Sequence, residues 1–272
     1  LVPKKELGVA RAQLTRLVNW ALAEDENFHY YQGLHDIASV LLVSCGEPSA
    51  GPVLLQLMRH HLREFLREKI DGVMTILQLM PPIIDAEDPT LGQFLRQADI
   101  GERCHFALSW VLTWFAHVLD ANLGACARLC DLFVASHPMM PMYLSVAIIL
   151  HRRRDVLATE CDFPEVHSVL SKVPPNLPWE QVIRQALKLF KRYNPRQAFK
   201  MAKMPYPEQS LCVQYPYEYH QKPQYSDSYW LLYATEAEKS HRGGPMKVRK
   251  IRDKDVVPYI LRPTMCVVEV AI

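Results

Sequence analysis

The chain has 272 residues, of which 49% are hydrophobic and 22% charged, and its formal net charge is +2. This is enough apolar material for one large buried core, with or without a tail. A charge so near zero argues against nucleic-acid binding, which needs a clustered basic face. The longest apolar run, residues 138–150, is too short to cross a bilayer, so no transmembrane segment is expected.

Apolar residues recur at helical spacing along the first two thirds of the chain, which predicts an all-α fold. The first predicted helix covers residues 14–22 and ends at the polar cluster 24–27. The second covers residues 34–45, where one apolar stripe runs up to Gly46, and this glycine is expected to end the helix.

Prolines and aspartates mark the helices that follow. Pro52 is expected at the first position of the third helix, where its missing N–H costs nothing. Asp71 is expected to cap a fourth helix, which the pair Pro81-Pro82 ends. A further cap-then-proline signature lies at residues 88–89. Further helices are predicted over residues 106–119, 123–134, 138–150, 166–173 and 178–190.

The character of the sequence changes after residue 203. Helical periodicity disappears, tyrosines and prolines interleave over residues 205–233, and basic residues gather over 247–254. Residues 204–272 are therefore predicted to form an irregular or disordered tail. A short linear motif, a basic membrane-surface patch and a plain solvated tail all stay open for this segment.

The seven cysteines are not paired at zinc-like spacing, and His60 and His61 have no carboxylate at ligand spacing, so no metal site is expected. The thiols are predicted to be free and buried, in a reducing compartment. The aromatic side chains of Trp110, Trp114 and Phe115 are predicted to lie in the core rather than on a binding surface.

The most informative segment is residues 30–37, Tyr-Tyr-Gln-Gly-Leu-His-Asp-Ile, at the start of the second predicted helix. Gln32 lies near the first turn, where free backbone N–H groups and the helix dipole favour an anion such as phosphate. Gln32 and Asp36 are spaced one helical turn apart, so an amide and a carboxylate are expected to project together. An amide can donate to phosphate and accept from water at once, which suits it to positioning a water beside a phosphoryl group. The alternative is that both are ordinary first-turn polar residues and that Gly33 only lets two helices approach.

The pattern Tyr30-x-Gln32-Gly33-x-x-Asp36 resembles the glutamine-finger motif of the TBC-domain family, the GTPase-activating proteins of Rab GTPases. The likeness extends over about residues 14–190, and its further segments follow in the family's order. The resemblance implies a TBC domain over residues 1–203, lacking the N-terminal portion of the family's domain. The segments are residues 60–65, 82–85, 106–115 and 136–141.

The resemblance also implies roles. In the family such a glutamine is catalytic: it enters the GTPase and orients the attacking water. Gln32 is expected to do so here, with Tyr30, Gly33 and Asp36 shaping the loop around it. The expected partner is a Rab-family GTPase in its GTP form, from the early secretory pathway. GTP and Mg²⁺ are held by that partner, so this chain is expected to need no cofactor of its own. Its expected location is the cytoplasm, at the cytosolic face of ER or Golgi membranes.

The family's second catalytic group is an arginine from an Ile-x-x-Asp-x-x-Arg motif. Arg11 and Arg16 lie upstream of Gln32, but neither has Ile and Asp six and three residues before it. Because an arginine finger contributes on the order of 10³–10⁵ in rate, the chain as given is expected to be a weak activator. It is predicted to be a fragment of an activating protein, a view that its start at Leu1 favours. A non-catalytic Rab-binding or scaffolding module is the alternative, and a plain helical scaffold is the third.

Overall fold

The computed structural model describes residues 4–101, 104–119, 122–174, 176–208, 210 and 213. These residues form α-helices joined by short turns, with no strand among them, and the predicted all-α class is confirmed. The helices are α1 (Lys4–Ala23), α2 (Leu34–Cys45), α3 (Glu47–Arg59), α4 (Asp71–Leu77), α5 (Met80–Glu87), α6 (Pro89–Gln97), α7 (Leu108–Leu112), α8 (Leu123–Val134), α9 (Met140–His151), α10 (Arg153–Leu157), α11 (Phe163–Leu170), α12 (Trp179–Arg192) and α13 (Pro195–Met201), with a 3₁₀ turn at His105–Ala107.

Helix α2 has the predicted bounds and carries the segment that the sequence singles out. Its apolar stripe is buried against α1, α3 and α8. Gly46 ends it in the left-handed region (φ 74°), and its N–H donates to the carbonyl of Leu42. Because glycine adopts this conformation without a Cβ penalty, α2 and α3 are joined by a single residue. The predicted cap at Asp88 is also confirmed, since its carboxylate accepts from the N–H of Leu91.

Two proline predictions are wrong. Helix α3 begins at Glu47, and Pro52 lies inside it, where it forgoes one backbone hydrogen bond within a well-packed helix. Pro81 and Pro82 do not end α4; they lie in the first turn of α5, where a missing N–H is tolerated. Asp71 is the first residue of α4 rather than its cap. A proline in a helical sequence thus marks a boundary only when packing does not override it.

The predicted long helix over residues 106–119 is also wrong. It is a 3₁₀ turn, the short helix α7 and then a series of turns, because Trp114 (φ 51°) and Phe115 (φ 67°) adopt left-handed conformations. The reversal places Phe115 in the core, 5.6 Å from the Trp110 ring and 6.1 Å from that of Phe133, measured between centroids. Burial of these aromatic rings offsets a backbone strain of about 1–3 kcal/mol per residue. As predicted, Trp110, Trp114 and Phe115 are all buried.

Helix α9 lies at the centre of the fold. Its residues from Met140 to Ile149 are buried, and α5, α7 and α12 pack around it. Such a helix, apolar on all sides, is typical of the middle of a core rather than its rim. No helix in the described part of the chain is long and apolar enough to cross a membrane.

Helix α13 was not predicted, although its start carries a capping box. The side chain of Asn194 accepts from the N–H of Gln197, whose side chain accepts from the N–H of Asn194 in return. The described residues beyond it are irregular but packed: the Tyr206 ring covers the Arg196 guanidinium at 4.2 Å, and Val213 is buried. The rest of the predicted tail, with its basic residues 247–254, lies outside the described residues.

The cysteines in the described part are free thiols. Cys104, Cys126 and Cys130 are buried as predicted, and burial raises the pKa of Cys104 to about 12, so this thiol stays protonated. Cys161 is exposed, which corrects the prediction for that residue, because it lies in the turn before α11. Among the described residues, no group of three or more His, Cys, Asp or Glu side chains could hold a metal ion.

Candidate functional site

Gln32 lies in the turn immediately before α2, with an exposed side chain. Its amide forms no hydrogen bond to any residue in the described part of the chain, so both its donor and its acceptor face solvent. The predicted placement one helical turn from Asp36 needs correction. Helix α2 starts at Leu34, so only Asp36 lies in its first turn and Gln32 precedes it. The amide therefore lies just before the N-terminal end of α2 rather than on one of its faces.

Gly33 fixes the direction in which Gln32 points. Its φ of 125° is rarely adopted by other residues, and a Cβ there would lie 2.8 Å from Thr113 Cγ2. Real Cβ atoms do not approach a neighbour so closely, so the loop rests directly on the turn after α7. A close approach at Gly33 was expected only in the alternative to a functional site, and the structure shows one, to the methyl group of Thr113 at the end of α7.

Tyr31 anchors the loop to the residues on which it packs. Its phenol donates to the carbonyl of Leu112 at 3.0 Å, and its ring meets the edge of Phe65 with centroids 6.1 Å apart. Burial, with a smaller effect of the Asp36 carboxylate, raises the pKa of Tyr31, so the phenol remains a donor. Tyr31 was not predicted as a site residue. The only signal in the sequence was an aromatic residue next to Gln32, and its partner lies 81 residues away.

Tyr30 and Asp36 flank Gln32 on the outer side. Tyr30 is 53% exposed, and its hydroxyl is 2.9 Å from Nδ1 of His35, over which its ring is stacked. Asp36 is half-buried, and its carboxylate oxygens lie 3.6 Å from Nε2 of His35 and 3.9 Å from Nδ1 of His117. His117 reaches the site from the turns after α7, a placement that no sequence spacing reveals. The structure therefore brings all four predicted residues together and adds Tyr31, His35 and His117.

The segment between α3 and α4 supports the loop from the other side. The N–H of His29 donates to the carbonyl of Leu66 at 2.8 Å. Arg63 pairs with Asp25 at 3.2 Å and lies 5.0 Å above the ring of Phe28. Hydrogen bonds from Asn27, and then this arginine, hold the pKa of Asp25 below its ordinary value. This segment is thus a platform to which the N-terminal end of the loop is tied, while Tyr31 and Gly33 hold the other end against the end of α7, which limits the freedom of the residues between them.

Ser210, which follows α13, reaches the same platform, and we call this contact the strap. Ser210 donates to the carboxylate of Glu64 at 2.8 Å, and Arg67 pairs with the other oxygen of that carboxylate at 2.7 Å. Glu64 is 6% exposed and Ser210 7%, so this contact is shielded from water. A hydrogen bond to a shielded carboxylate contributes more than one at the surface, about 1.5–3 kcal/mol. The contact of Ser210 therefore stabilises the support of the Gln32 loop.

The two upstream arginines do not lie near Gln32. Arg16 pairs with Glu47 at 2.8 Å, and Glu47 follows the C-terminal end of α2. Since α2 has 12 residues, its two ends are ~18 Å apart, and Gln32 is at the other one. Arg11 lies more than a turn further back along α1, and it is exposed. Neither can act beside Gln32 without a rearrangement of α1.

With the geometry of the loop established, the comparison with known proteins decides the family. Residues 3–158 match the Rab-GTPase-TBC domain family. The chain belongs to this family. It is 37% identical over 201 residues to TBC1 domain family member 20 of Homo sapiens and of Bos taurus, which covers 74% of this chain and 49% of each relative. It is also 37% identical over 177 residues to the GTPase-activating protein gyp10 of Schizosaccharomyces pombe, covering 64% of this chain and 47% of that protein.

The chain thus spans about half the length of the curated relatives that it matches. The match to the TBC family begins before Gln32 and ends after α10, so it includes the whole loop and the platform that supports it. The predicted fold and family are therefore confirmed. The residues from α11 onward, including α12, α13 and Ser210 of the strap, lie outside the matched family domain.

Proposed function

We propose that this domain stimulates GTP hydrolysis by a Rab-family GTPase in its GTP form, and that Gln32 enters the GTPase site. The observation that carries the proposal is an exposed amide on a fixed loop. Gln32 has its donor and acceptor unoccupied by described residues, while Gly33 and Tyr31 hold the backbone beneath it. A side chain that must orient a water in another protein has to be accessible and preorganised, and this one is both.

The chemistry required of Gln32 is modest. Its carbonyl oxygen would accept a hydrogen bond from the attacking water while its NH₂ group donates to a phosphoryl oxygen. GTP and Mg²⁺ belong to the partner, and the metal neutralises the charge on the phosphates. Tyr30, at the outer rim, and the Asp36 carboxylate with its two histidines would frame the contact with the GTPase. In this proposal the target is a Rab of the early secretory pathway, at the cytosolic face of ER or Golgi membranes.

A second candidate function is Rab binding without acceleration. The position of Arg16 favours it, because this arginine is paired with Glu47 at the end of α2 remote from Gln32. An amide supplies no net positive charge to the transition state. Without an arginine in the site, we expect the rate of GTP hydrolysis to be stimulated less than by a glutamine and an arginine together, by a factor on the order of 10³–10⁵.

Single-turnover GTP hydrolysis by an early-secretory Rab tests the proposal. Four proteins are compared: this chain, its Gln32→Ala variant, a version extended upstream by a segment that bears the Ile-x-x-Asp-x-x-Arg motif, and the Gln32→Ala variant of that extended version. We expect strong stimulation by the extended version only, and its loss in the extended Gln32→Ala variant. Gln93→Ala is the matched control, since it removes an exposed amide from α6, on a different element.

The affinity for the GTP-bound Rab is measured alongside. Binding without stimulation in every version would establish the second candidate function instead. Full stimulation by the Gln32→Ala variant would refute the role of Gln32, and strong stimulation by the chain as given would mean that another cation completes the site.

A further inference from the structure

Within the part of the chain that the structure describes, positive charge is concentrated in one segment. Residues 179–203, from the start of α12 to just beyond α13, carry seven lysines and arginines and a single acidic residue, Glu180. Their net charge is therefore +6, in a chain whose total is +2. The near-zero sum hides this asymmetry, because acidic residues elsewhere cancel it.

The charges lie on the outer faces of the two helices. Helix α12 buries Val182, Ile183, Ala186, Leu189 and Phe190. Its exposed stripe consists of Arg184, Leu187, Lys188 and Lys191, which are spaced at i, i+3, i+4 and i+7. In α13, Arg196 and Lys200 are exposed one turn apart, and Lys203 follows the helix end.

The acidic residues next to this segment are already engaged by arginines. Glu180 pairs with Arg128 of α8 at 2.7 Å. Glu87 of α5 pairs with Arg192 at 2.6 Å, and Glu208 pairs with Arg196 at 3.4 Å. The four lysines of the segment, in contrast, form no ion pair with any residue that the structure describes. They are Lys188, Lys191, Lys200 and Lys203.

We propose that the exposed face of α12 and α13 is a docking surface for anionic lipid headgroups. Charge complementarity favours a polyanion, and two further features favour a membrane over RNA. Leu187, in the middle of the α12 stripe, is 43% exposed and can enter the headgroup layer between flanking lysines. RNA-binding surfaces stack bases on exposed aromatic rings, whereas every aromatic ring of this segment is buried or half-buried. Those rings belong to Trp179, Phe190, Tyr193 and Phe199.

Lysine is also suited to this partner. Its compact ammonium group attracts headgroups without requiring the fixed geometry that an arginine fork imposes. Each lysine near an anionic surface strengthens adsorption by a factor of about five at moderate salt. Lys188 and Lys191, which share the α12 stripe, therefore give a preference of about 25-fold for anionic over neutral vesicles, which is reversible and sensitive to salt, and the lysines of α13 add to it. The face lies outside residues 3–158, which match the family's domain, and its lysines are not residues of the proposed GTPase contact.

Co-sedimentation of the full chain with vesicles tests the proposal. One set of vesicles contains about a third phosphatidylserine in phosphatidylcholine, and the other phosphatidylcholine alone, both at about 0.1 M salt. We expect binding to the first set only. The Lys188→Gln/Lys191→Gln variant should bind about 25-fold more weakly, and Leu187→Ser should weaken binding further.

The matched control is Lys69→Gln/Lys172→Gln, which removes the same net charge from two exposed lysines on other elements and should leave binding unchanged. Thermal unfolding confirms that each variant is folded. Equal binding by the α12 variant and the control would overturn the proposal and assign adsorption to the basic tail at residues 247–254. No binding to anionic vesicles, with or without binding to polyuridylate, would also overturn it.

Discussion

Replacing Gly33 by alanine tests the central claim about the site, which is that a strained glycine places Gln32. Two costs are expected. A non-glycine residue at φ 125° is strained by about 1–3 kcal/mol. The new Cβ would lie 2.8 Å from Thr113 Cγ2, and relieving such an overlap in a packed region costs about 1–3 kcal/mol. Gly33→Ala should therefore lower the free energy of unfolding by about 2–6 kcal/mol, or the loop should move instead.

Two other glycines separate these costs. Gly46 also has a positive φ, 74°, but the nearest atom to an added Cβ is Pro48 Cδ at 3.8 Å. Gly46→Ala should therefore show the strain alone, about 1–3 kcal/mol. A Cβ on Gly8 in α1 meets nothing within 4 Å, and Gly8→Ala should stabilise the helix by up to about 1 kcal/mol.

The steric cost can be isolated by a second change. Thr113→Ser removes Cγ2 and keeps the hydroxyl that donates to the carbonyl of Ser109 at 2.7 Å. In a double-mutant cycle measured by urea unfolding, it should recover about 1–3 kcal/mol of the loss caused by Gly33→Ala. Additive effects in a destabilised Gly33→Ala protein would refute the assigned geometry, and so would a Gly33→Ala protein that is as stable as the parent and stimulates the Rab equally well. If the loop moves, single-turnover stimulation of the Rab should fall even though stability is retained.

Three further predictions concern stability. Tyr31→Phe removes the hydrogen bond to the carbonyl of Leu112 and should cost about 1 kcal/mol in urea unfolding; an unchanged midpoint would contradict it. Ser210→Ala removes the hydrogen bond to a shielded carboxylate and should cost about 1.5–3 kcal/mol, with faster amide exchange in residues 62–66; unaltered exchange there would contradict the strap. Burial lowers the pKa of both His61 and His137 to about 4 from 6.5, so the unfolded chain binds protons that the folded chain does not. The free energy of unfolding should therefore fall between about pH 6.5 and 4, by on the order of 3 kcal/mol per histidine, and a flat profile measured by urea unfolding over that range would refute their burial as neutral groups.

The site divides sharply between what sequence reasoning reached and what it missed. Tyr30, Gln32, Gly33 and Asp36 lie within seven residues of one another, so a motif could single them out as candidates. Tyr31 is in the same segment, but its function as an anchor depends on the carbonyl of Leu112. His117, Glu64 and Ser210 reach the loop or its platform from remote parts of the chain, and no local pattern marks them.

The helices show the same division. Periodicity predicted α2 and α8 with their observed bounds, because a helix with one buried face repeats its apolar residues every turn. It failed over residues 106–119. An apolar and aromatic run there predicts a helix, and its periodicity does not show that Trp114 and Phe115 turn the chain back with positive φ. It failed again at Pro52, which packing holds inside α3.

The sequence by itself determined the all-α class and the family, and it placed the candidate loop at Gln32, because each depends on the order and spacing of nearby residues. Tertiary structure decided what the loop rests on, where Arg16 is held and which basic residues are paired with glutamates. Those depend on contacts between remote segments, which spacing does not encode. Composition gave a net charge of +2 and argued against a basic face, whereas folding exposes the lysines of α12 and α13 on their outer faces and pairs the neighbouring glutamates with arginines. The net charge of a chain does not say where its charged residues lie, and a charged surface depends on where they lie.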